Sequence, residues 1–321
     1  MRHWKRIVDT KELVRAAYVA LLGREPESEE VLTAKAAALQ DPVDILQHFL
    51  SSEEFQASHK DFIATLRIGQ AAIAQDVAVD ATENELRALF DRICRQWQKL
   101  GDIEPYWSVL TNDRYRLSKF QENKAEFERT GEQSLQMLQR AAARCHTTVP
   151  TGVCLELGSG VGRVTRHLAD QFEKVIGVDV SEGNSALCKK YLLESGKHNV
   201  DVRVIKAPVE IEALPEYDMF YSIIVLQHNP PPVIRYFLTT LLSKIRPGGA
   251  AYFQVPTHTP NYKFSIGSYL KSATEVLDMH LLPMPHVLRC IDDAGLKLRE
   301  VLMDTSTGMY GSHSFYAVKP L

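Results

Sequence analysis

Val153-Cys-Leu-Glu-Leu runs directly into Gly158-Ser-Gly-Val-Gly162-Arg-Val-Thr165. An apolar, strand-like run therefore ends in glycines at alternate positions, just before a helical pattern begins. Glycines at this spacing remove side chains where a backbone must turn tightly and approach a bound group. An acid, Glu156, precedes the first glycine by two positions, and a second, Asp179, ends the next apolar run in Gly177-Val-Asp-Val180. An acid at the tip of a second strand is suited to hold the two hydroxyls of a ribose. No third glycine stands at the dinucleotide spacing: those positions are Arg163 and Thr165.

From Val153 onward, short apolar runs alternate with helical stretches. The strand candidates are Val153–Leu157, Lys174–Val180, Val200–Ile205, Met219–Leu226, Ala250–Val255, Leu296–Met303 and Ser314–Val318. Alternation of this kind predicts an α/β domain whose largely parallel sheet is covered by helices on both faces. The last two candidates have no helix between them, so they should pair antiparallel.

Residues 8–147 read as helical throughout. Ser28 and Asp41 are placed as N-caps, with Pro42 in a first turn. Ile63, Leu66, Ile73, Leu86, Leu89, Phe90, Ile93 and Trp97 give a segment over 59–100 one apolar face. Gly131 precedes a further helical stretch, Glu132 to Arg144. The division expected is a helical module over 1–58, a helical linker over 59–147 and a nucleotide-binding domain over 148–321.

The net charge of −3 and the lack of long Lys/Arg runs argue against nucleic acid as a partner. Five scattered cysteines without a C-x-x-C pair fit reduced thiols rather than a disulfide framework or zinc site. The basic start lacks the apolar core of a signal peptide, and no run is long enough to span a bilayer, so a cytoplasmic protein is expected. No metal-ligand spacing stands out.

The glycine loop with its two acids resembles the class I methyltransferase family over Val153 to the C-terminus. Tyr217-Asp-Met-Phe-Tyr-Ser-Ile-Ile-Val-Leu-Gln-His-Asn-Pro-Pro231 looks like that family's fourth strand and following loop, and Ile245-Arg-Pro-Gly-Gly-Ala250 like its turn into the fifth. The resemblance implies a doubly wound seven-stranded sheet, mostly parallel with its last strand antiparallel, and S-adenosyl-L-methionine as cofactor. It implies cofactor contacts at Glu156, Gly158, Ser159, Gly160, Gly162, Arg163, Asp179, Val180, Pro208, Val209, Leu226 and Gln227. Glu104-Pro-Tyr-Trp-Ser-Val-Leu-Thr-Asn-Asp-Arg-Tyr115 is similar to a segment that covers the cofactor in some members, which would bring Tyr106, Trp107 and Arg114 to the site.

His228 follows the fourth strand at the sheet edge where such folds bind ligands. A histidine there is placed to take the proton of an acceptor hydroxyl, while the cofactor supplies the reactive methyl. His258, His280, His286 and His313 rank behind it. Tyr18-Val-Ala-Leu-Leu-Gly-Arg-Glu-Pro26 with Ile45-Leu-Gln-His-Phe-Leu-Ser-Ser-Glu-Glu-Phe55 is similar to the phycobilisome-linker-like domain of bacterial surface-glycan and secreted proteins. That resemblance implies a sugar or glycan hydroxyl as acceptor, and a module that can meet a protein partner. A small metabolite as acceptor, or a non-catalytic scaffold, stands as the alternative.

Overall fold

Asp9 accepts the N–H of Lys11 at 3.0 Å and so caps the first helix of the chain, α1 (Thr10–Ala17). The computed structural model describes residues 9–39, 41–58, 76–272, 278–304, 307–309 and 311–321. Two units emerge, Met1–Ala72 and Ile73–Leu321.

In the first unit α1 continues into a π-helical turn, Tyr18–Leu22. Then follow α2 (Glu29–Ala38), α3 (Pro42–Leu50) and α4 (Glu53–Ser58). Ser28 caps α2 by accepting the N–H of Val31 at 3.3 Å, and α3 starts at Pro42, both as read from the sequence. Val14, Tyr18, Leu32, Ile45 and Phe49 form the core, with the Tyr18 and Phe49 rings edge to face at 4.8 Å. Arg24 pairs with Glu27 and Glu54 and ties the turn after the π-helix to α4.

The second unit is a helix-covered sheet. Its strands are β1 (Val153–Leu157), β2 (Lys174–Asp179), β3 (Val200–Val204), β4 (Tyr217–Ser222), β5 (Ile245–Pro256), β6 (Lys297–Met303) and β7 (Ser312–Val318). They lie in the order β3-β2-β1-β4-β5-β7-β6. Pairing is parallel from β3 through β5, and β7 runs antiparallel to both β5 and β6. The seven-stranded sheet with an antiparallel last strand is therefore present, behind a helical N-terminal region.

Alternation along each strand sends side chains to opposite faces. Leu155, Phe220 and Phe253 face one layer, with Leu89, Phe90 and Ile93 of α5 (Glu83–Ile103) and Phe237 and Leu241 of α11 (Pro231–Ser243). Cys154, Met219, Tyr221 and Tyr252 face the other, with Leu135 and Leu138 of α7 (Phe120–Arg144) and Leu168 of α8 (Thr165–Gln171). A capping box between Thr82 and Glu85 starts α5. Between α5 and α7 lies the short α6 (Pro105–Val109), and after β2 comes α9 (Glu182–Glu194). Ile63, Leu66 and Ile73 of the predicted amphipathic face lie outside the described residues.

Three readings of local structure change. β4 stops at Ser222, four residues short of the predicted end, because Ile224 takes a left-handed φ of 56° and Leu226–His228 turns as a 3-10 helix. β5 begins at Ile245, so the Pro-Gly-Gly stretch expected as a turn is part of the strand, where pairing with β4 shifts register. Gly131 does not break a helix: α7 passes through it. The reason is packing, since a Cβ at Gly131 would lie 2.0 Å from the Arg163 carbonyl oxygen. Among the described residues no helix is long and apolar enough to cross a membrane.

Candidate active site

The sheet reverses its strand order between β1 and β4, and the loops leaving the carboxyl ends of β1, β2 and β4 open there into a cleft of about 910 Å³. Clefts at such switch points are the usual ligand sites of open α/β sheets. The volume lies within the range of small-molecule sites.

The glycine loop forms its floor. Gly158, Gly160 and Gly162 all have positive φ. Gly160 shows why a side chain is excluded: φ is 52°, and a Cβ would stand 2.7 Å from Cγ2 of Val109 in α6. The loop is held by Asp179, whose Oδ2 accepts the Gly160 N–H at 2.8 Å and whose Oδ1 accepts the Ser181 N–H at 2.8 Å. Burial raises the Asp179 carboxyl above the ordinary range, and these backbone donors oppose the shift. Each oxygen keeps a second lone pair for a ligand hydroxyl.

Glu156 and Arg163 are both buried and both line the cleft. Arg163 donates from Nη1 to Ser134 Oγ at 3.0 Å, while its Nε has no partner among the described residues. Oε2 of Glu156, Oγ of Ser159 and Oδ1 of Asn184 are likewise buried and unpartnered among the described residues. Burial pushes the Glu156 carboxyl up to about 7, although Arg163 pulls the other way. Unpartnered buried polar atoms are rare in folded proteins, and a cluster of them aimed into a cleft marks a place for a polar ligand. An acid beside a guanidinium suits a zwitterion, the acid meeting an ammonium and the guanidinium a carboxylate.

Apolar residues close the remaining sides. Phe90, Ile93 and Trp97 come from α5, Ile205 from the end of β3, Ile223 and Val225 from the loop after β4, and Phe237 from α11. His228 enters from the 3-10 turn with the Trp97 ring 5.1 Å away, and its Nε2 lies 3.2 Å from the Gln227 amide nitrogen. Burial depresses its imidazole to about 4, and the nearby Asp278 carbonyl offsets little of that. A histidine at a sheet edge suggested titration near neutrality; burial makes it neutral there instead.

Residues 154–249 match the family model described as a methyltransferase domain. The chain carries a class I methyltransferase domain. The ubiquinone biosynthesis O-methyltransferase of Pseudomonas fluorescens strain Pf0-1 is 33% identical over 116 residues, 35% of this chain and 48% of that protein. The protein of the same name from Sinorhizobium fredii strain NBRC 101917 / NGR234 is 31% identical over 98 residues, 30% of this chain and 38% of that one. The chain thus spans about half the length, or less, of these curated relatives. Among solved structures, phosphoethanolamine N-methyltransferase 1 of Haemonchus contortus, in complex with phosphoethanolamine and S-adenosylhomocysteine, shares the fold. Its TM-score is 0.53 at 12% identity, over 75% of this chain and 50% of that one.

S-adenosyl-L-methionine is the cofactor of such a methyltransferase domain, and the unpartnered atoms of Glu156, Arg163 and Ser159 fit its amino-acid end as Asp179 fits its ribose. Of the residues the sequence singled out, Glu156, Gly158, Ser159, Gly160, Arg163, Asp179, Val180 and His228 line one cleft. Gly162 lies behind it, with its Cα facing Cys188. Leu226 and Gln227 are buried beneath it. Val209 is 64% exposed, and Pro208 opens α10 (Pro208–Glu212), which contributes Ile211 to the wall.

The structure places Tyr106, Trp107 and Arg114 away from the cleft. Tyr106 stacks on Phe120 with ring centroids 3.4 Å apart, Arg116 lies over the Trp107 ring at 4.9 Å, and Arg114 pairs with Glu126 at 2.7 Å. The same segment instead supplies Ser108 and Val109. Helix α6 explains the change: the aromatic side chains face α7 and the surface, and the small residues that follow face the ligand. Ser108, Asn184 and the α5 residues were not foreseen. The apolar period of α5 did mark Phe90, Ile93 and Trp97 as inward-facing, but not toward a site.

Proposed function

We propose that the chain is an S-adenosylmethionine-dependent O-methyltransferase that acts on a sugar or glycan hydroxyl, with His228 as the base. The observation that carries this reading is the neutral, buried His228 on the wall of the same cleft as Glu156, Arg163 and Asp179. The cofactor supplies a methyl group on a cationic sulfur and leaves as a neutral thioether. His228 accepts the hydroxyl proton as the oxygen attacks, so it becomes cationic while the site loses the sulfonium charge. The cleft carries one positive charge before and after. A base with a depressed pKa can therefore work without adding a charge to a dry pocket. Asp179 holds the ribose, Glu156 and Arg163 hold the amino acid, and Trp97 offers ring surface to the apolar face of a sugar.

The sugar acceptor is supported by the likeness of residues 10–58 to modules of bacterial surface-glycan proteins, and the same module would serve a protein partner. A second reading, a small aromatic hydroxyl compound, is favoured by the names of the two relatives and by the apolar wall of Phe90, Ile93 and Phe237. A screen with methyl-labelled cofactor over monosaccharides, oligosaccharides, phenols and lipids separates them. Label in a sugar supports the first reading and label in a phenol the second. Cofactor binding by calorimetry with no labelled product would leave a binding protein.

A further inference from the structure

Behind His228 a second histidine is built into the fold. The segment after α12 (Ile266–Lys271) returns to the sheet edge at His280, whose backbone N–H donates to the Gln227 carbonyl at 2.6 Å. That bond fixes His280 beside the residue that precedes His228. The His280 ring is buried, with the rings of Phe264 and Tyr269 edge-on at 5.4 and 5.3 Å. Its Nδ1 shares a hydrogen bond of 2.8 Å with the Tyr262 hydroxyl. Its Nε2 is buried and has no partner among the described residues, and the same holds for Nδ1 of His228 and Oε1 of Gln227. Three such atoms on two adjoining segments are unusual in a folded core, where polar atoms are nearly always paired. A charge on either imidazole disfavours a charge on the other.

On the reading that His228 is the base, we propose that His280 and Tyr262 form the route by which its proton leaves the buried cleft. As the acceptor oxygen bonds the methyl carbon, the sulfur keeps the electron pair of the broken S–C bond and the O–H proton goes to His228. One proton per turnover must then reach water. His228 passes it to Nε2 of His280, the Nδ1 proton of His280 moves to the Tyr262 oxygen, and the Tyr262 hydroxyl releases its own proton outward. Every bond broken in this chain is replaced, and the relay returns to its starting state by ring rotation or reverse hops. His280 is buried, whereas Tyr262 is only half-buried, so the pair leads from the interior toward solvent. The other titratable or charged groups facing His280 are Arg92, Asp278 and Tyr269. His280 is a positioning residue in this scheme, acting through His228.

The test has two arms, both on the full chain. In the first, the chain with isotope-labelled histidine is titrated by NMR without any acceptor. His228→Gln should raise the titration midpoint of His280, since a like-charged neighbour is removed. Tyr262→Phe should leave the His280 ring in place but change the signal of its Nδ1. An unmoved His280 in both variants would overturn the relay. In the second arm, methyl transfer to the acceptor found by the screen is followed by rapid quench. His280→Gln and Tyr262→Phe should give a first turnover at the wild-type rate, then a steady state slower by about tenfold or more. Millimolar imidazole in the buffer should restore it. First and later turnovers slowed alike, without rescue, would make His280 a packing residue and overturn the proposal. A wild type that methylates nothing, while the first arm shows coupled histidines, would sink the enzymatic reading and the transfer role with it, and would be recognisable as that failure.

Discussion

The N–H of Gly160 donates to Oδ2 of Asp179 at 2.8 Å, which joins the glycine loop after β1 to the acid at the tip of β2. The same carboxylate takes the Ser181 N–H through Oδ1, so it organises two loops before any ligand arrives.

Asp179→Ala should therefore weaken cofactor binding in two ways, by losing the ribose acceptor and by freeing the loop. A loss of roughly 1.5–3 kcal/mol is expected from hydrogen bonds to a charged group. Asp179→Asn should fall between, because it keeps one acceptor. Titration calorimetry checks both, and an affinity for the alanine variant equal to wild type would remove Asp179 from the site.

Glu156 predicts a proton count. Its carboxyl titrates at about 7 in the cofactor-free protein. An ammonium placed beside it would favour the charged form, so binding near pH 7 should release a fraction of a proton. Calorimetry in phosphate and in Tris should then give binding enthalpies that differ by that fraction times the buffers' ionisation enthalpies. The sign for stability follows from the raised value. Glu156 stabilises the free protein fully below the ordinary glutamate pKa of about 4.5, and this contribution is lost as pH rises through about 7. Glu156→Gln should abolish both the proton release and that part of the pH dependence.

His228→Gln should cut turnover by roughly 10²–10⁴-fold, the range for a positioned general base. Cofactor affinity should stay near wild type, because the role belongs to the transition state. With its imidazole depressed to about 4, His228 is already neutral at physiological pH. The wild-type rate should be flat across neutral pH and fall only as pH approaches that value, provided the fold survives. His228 also contributes stability that is present above the usual histidine value and lost as pH falls through about 4. A rate that instead fell through a midpoint near 6.5 would point to a more exposed base.

Gly131→Ala separates helix propensity from packing. Alanine in a helix interior gains about 1 kcal/mol over glycine. Here its Cβ would meet the Arg163 carbonyl oxygen at 2.0 Å and the His167 ring at 3.1 Å. Overpacking against backbone costs about 1–3 kcal/mol, so the clash should win. We expect lower stability in denaturant melts and weaker cofactor binding, since the displaced residue is Arg163. A stabilised variant would mean that α7 moves aside freely.

The period-two and period-3.6 patterns after Val153 were enough to place the strands, the antiparallel last pair and the glycine loop, because each rests on residues close in sequence. Glu156, Arg163, Asp179 and His228 were legible for the same reason: each ends a strand or begins the turn that follows. The segment over Tyr106–Arg114 was not. Which of its side chains faces the cleft depends on how α6 lies against α7 and the loop at Gly160, contacts between residues far apart in the chain. Gly131 was misread for a related reason, since only the neighbouring Arg163 backbone shows why a helix would carry a glycine there. The charge states of Glu156 and His228 belong to the tertiary structure as well. The sequence names the titratable groups, but the removal of water from around them, which moves one pKa up and the other down, exists only once α5, α6 and the sheet have closed the cleft.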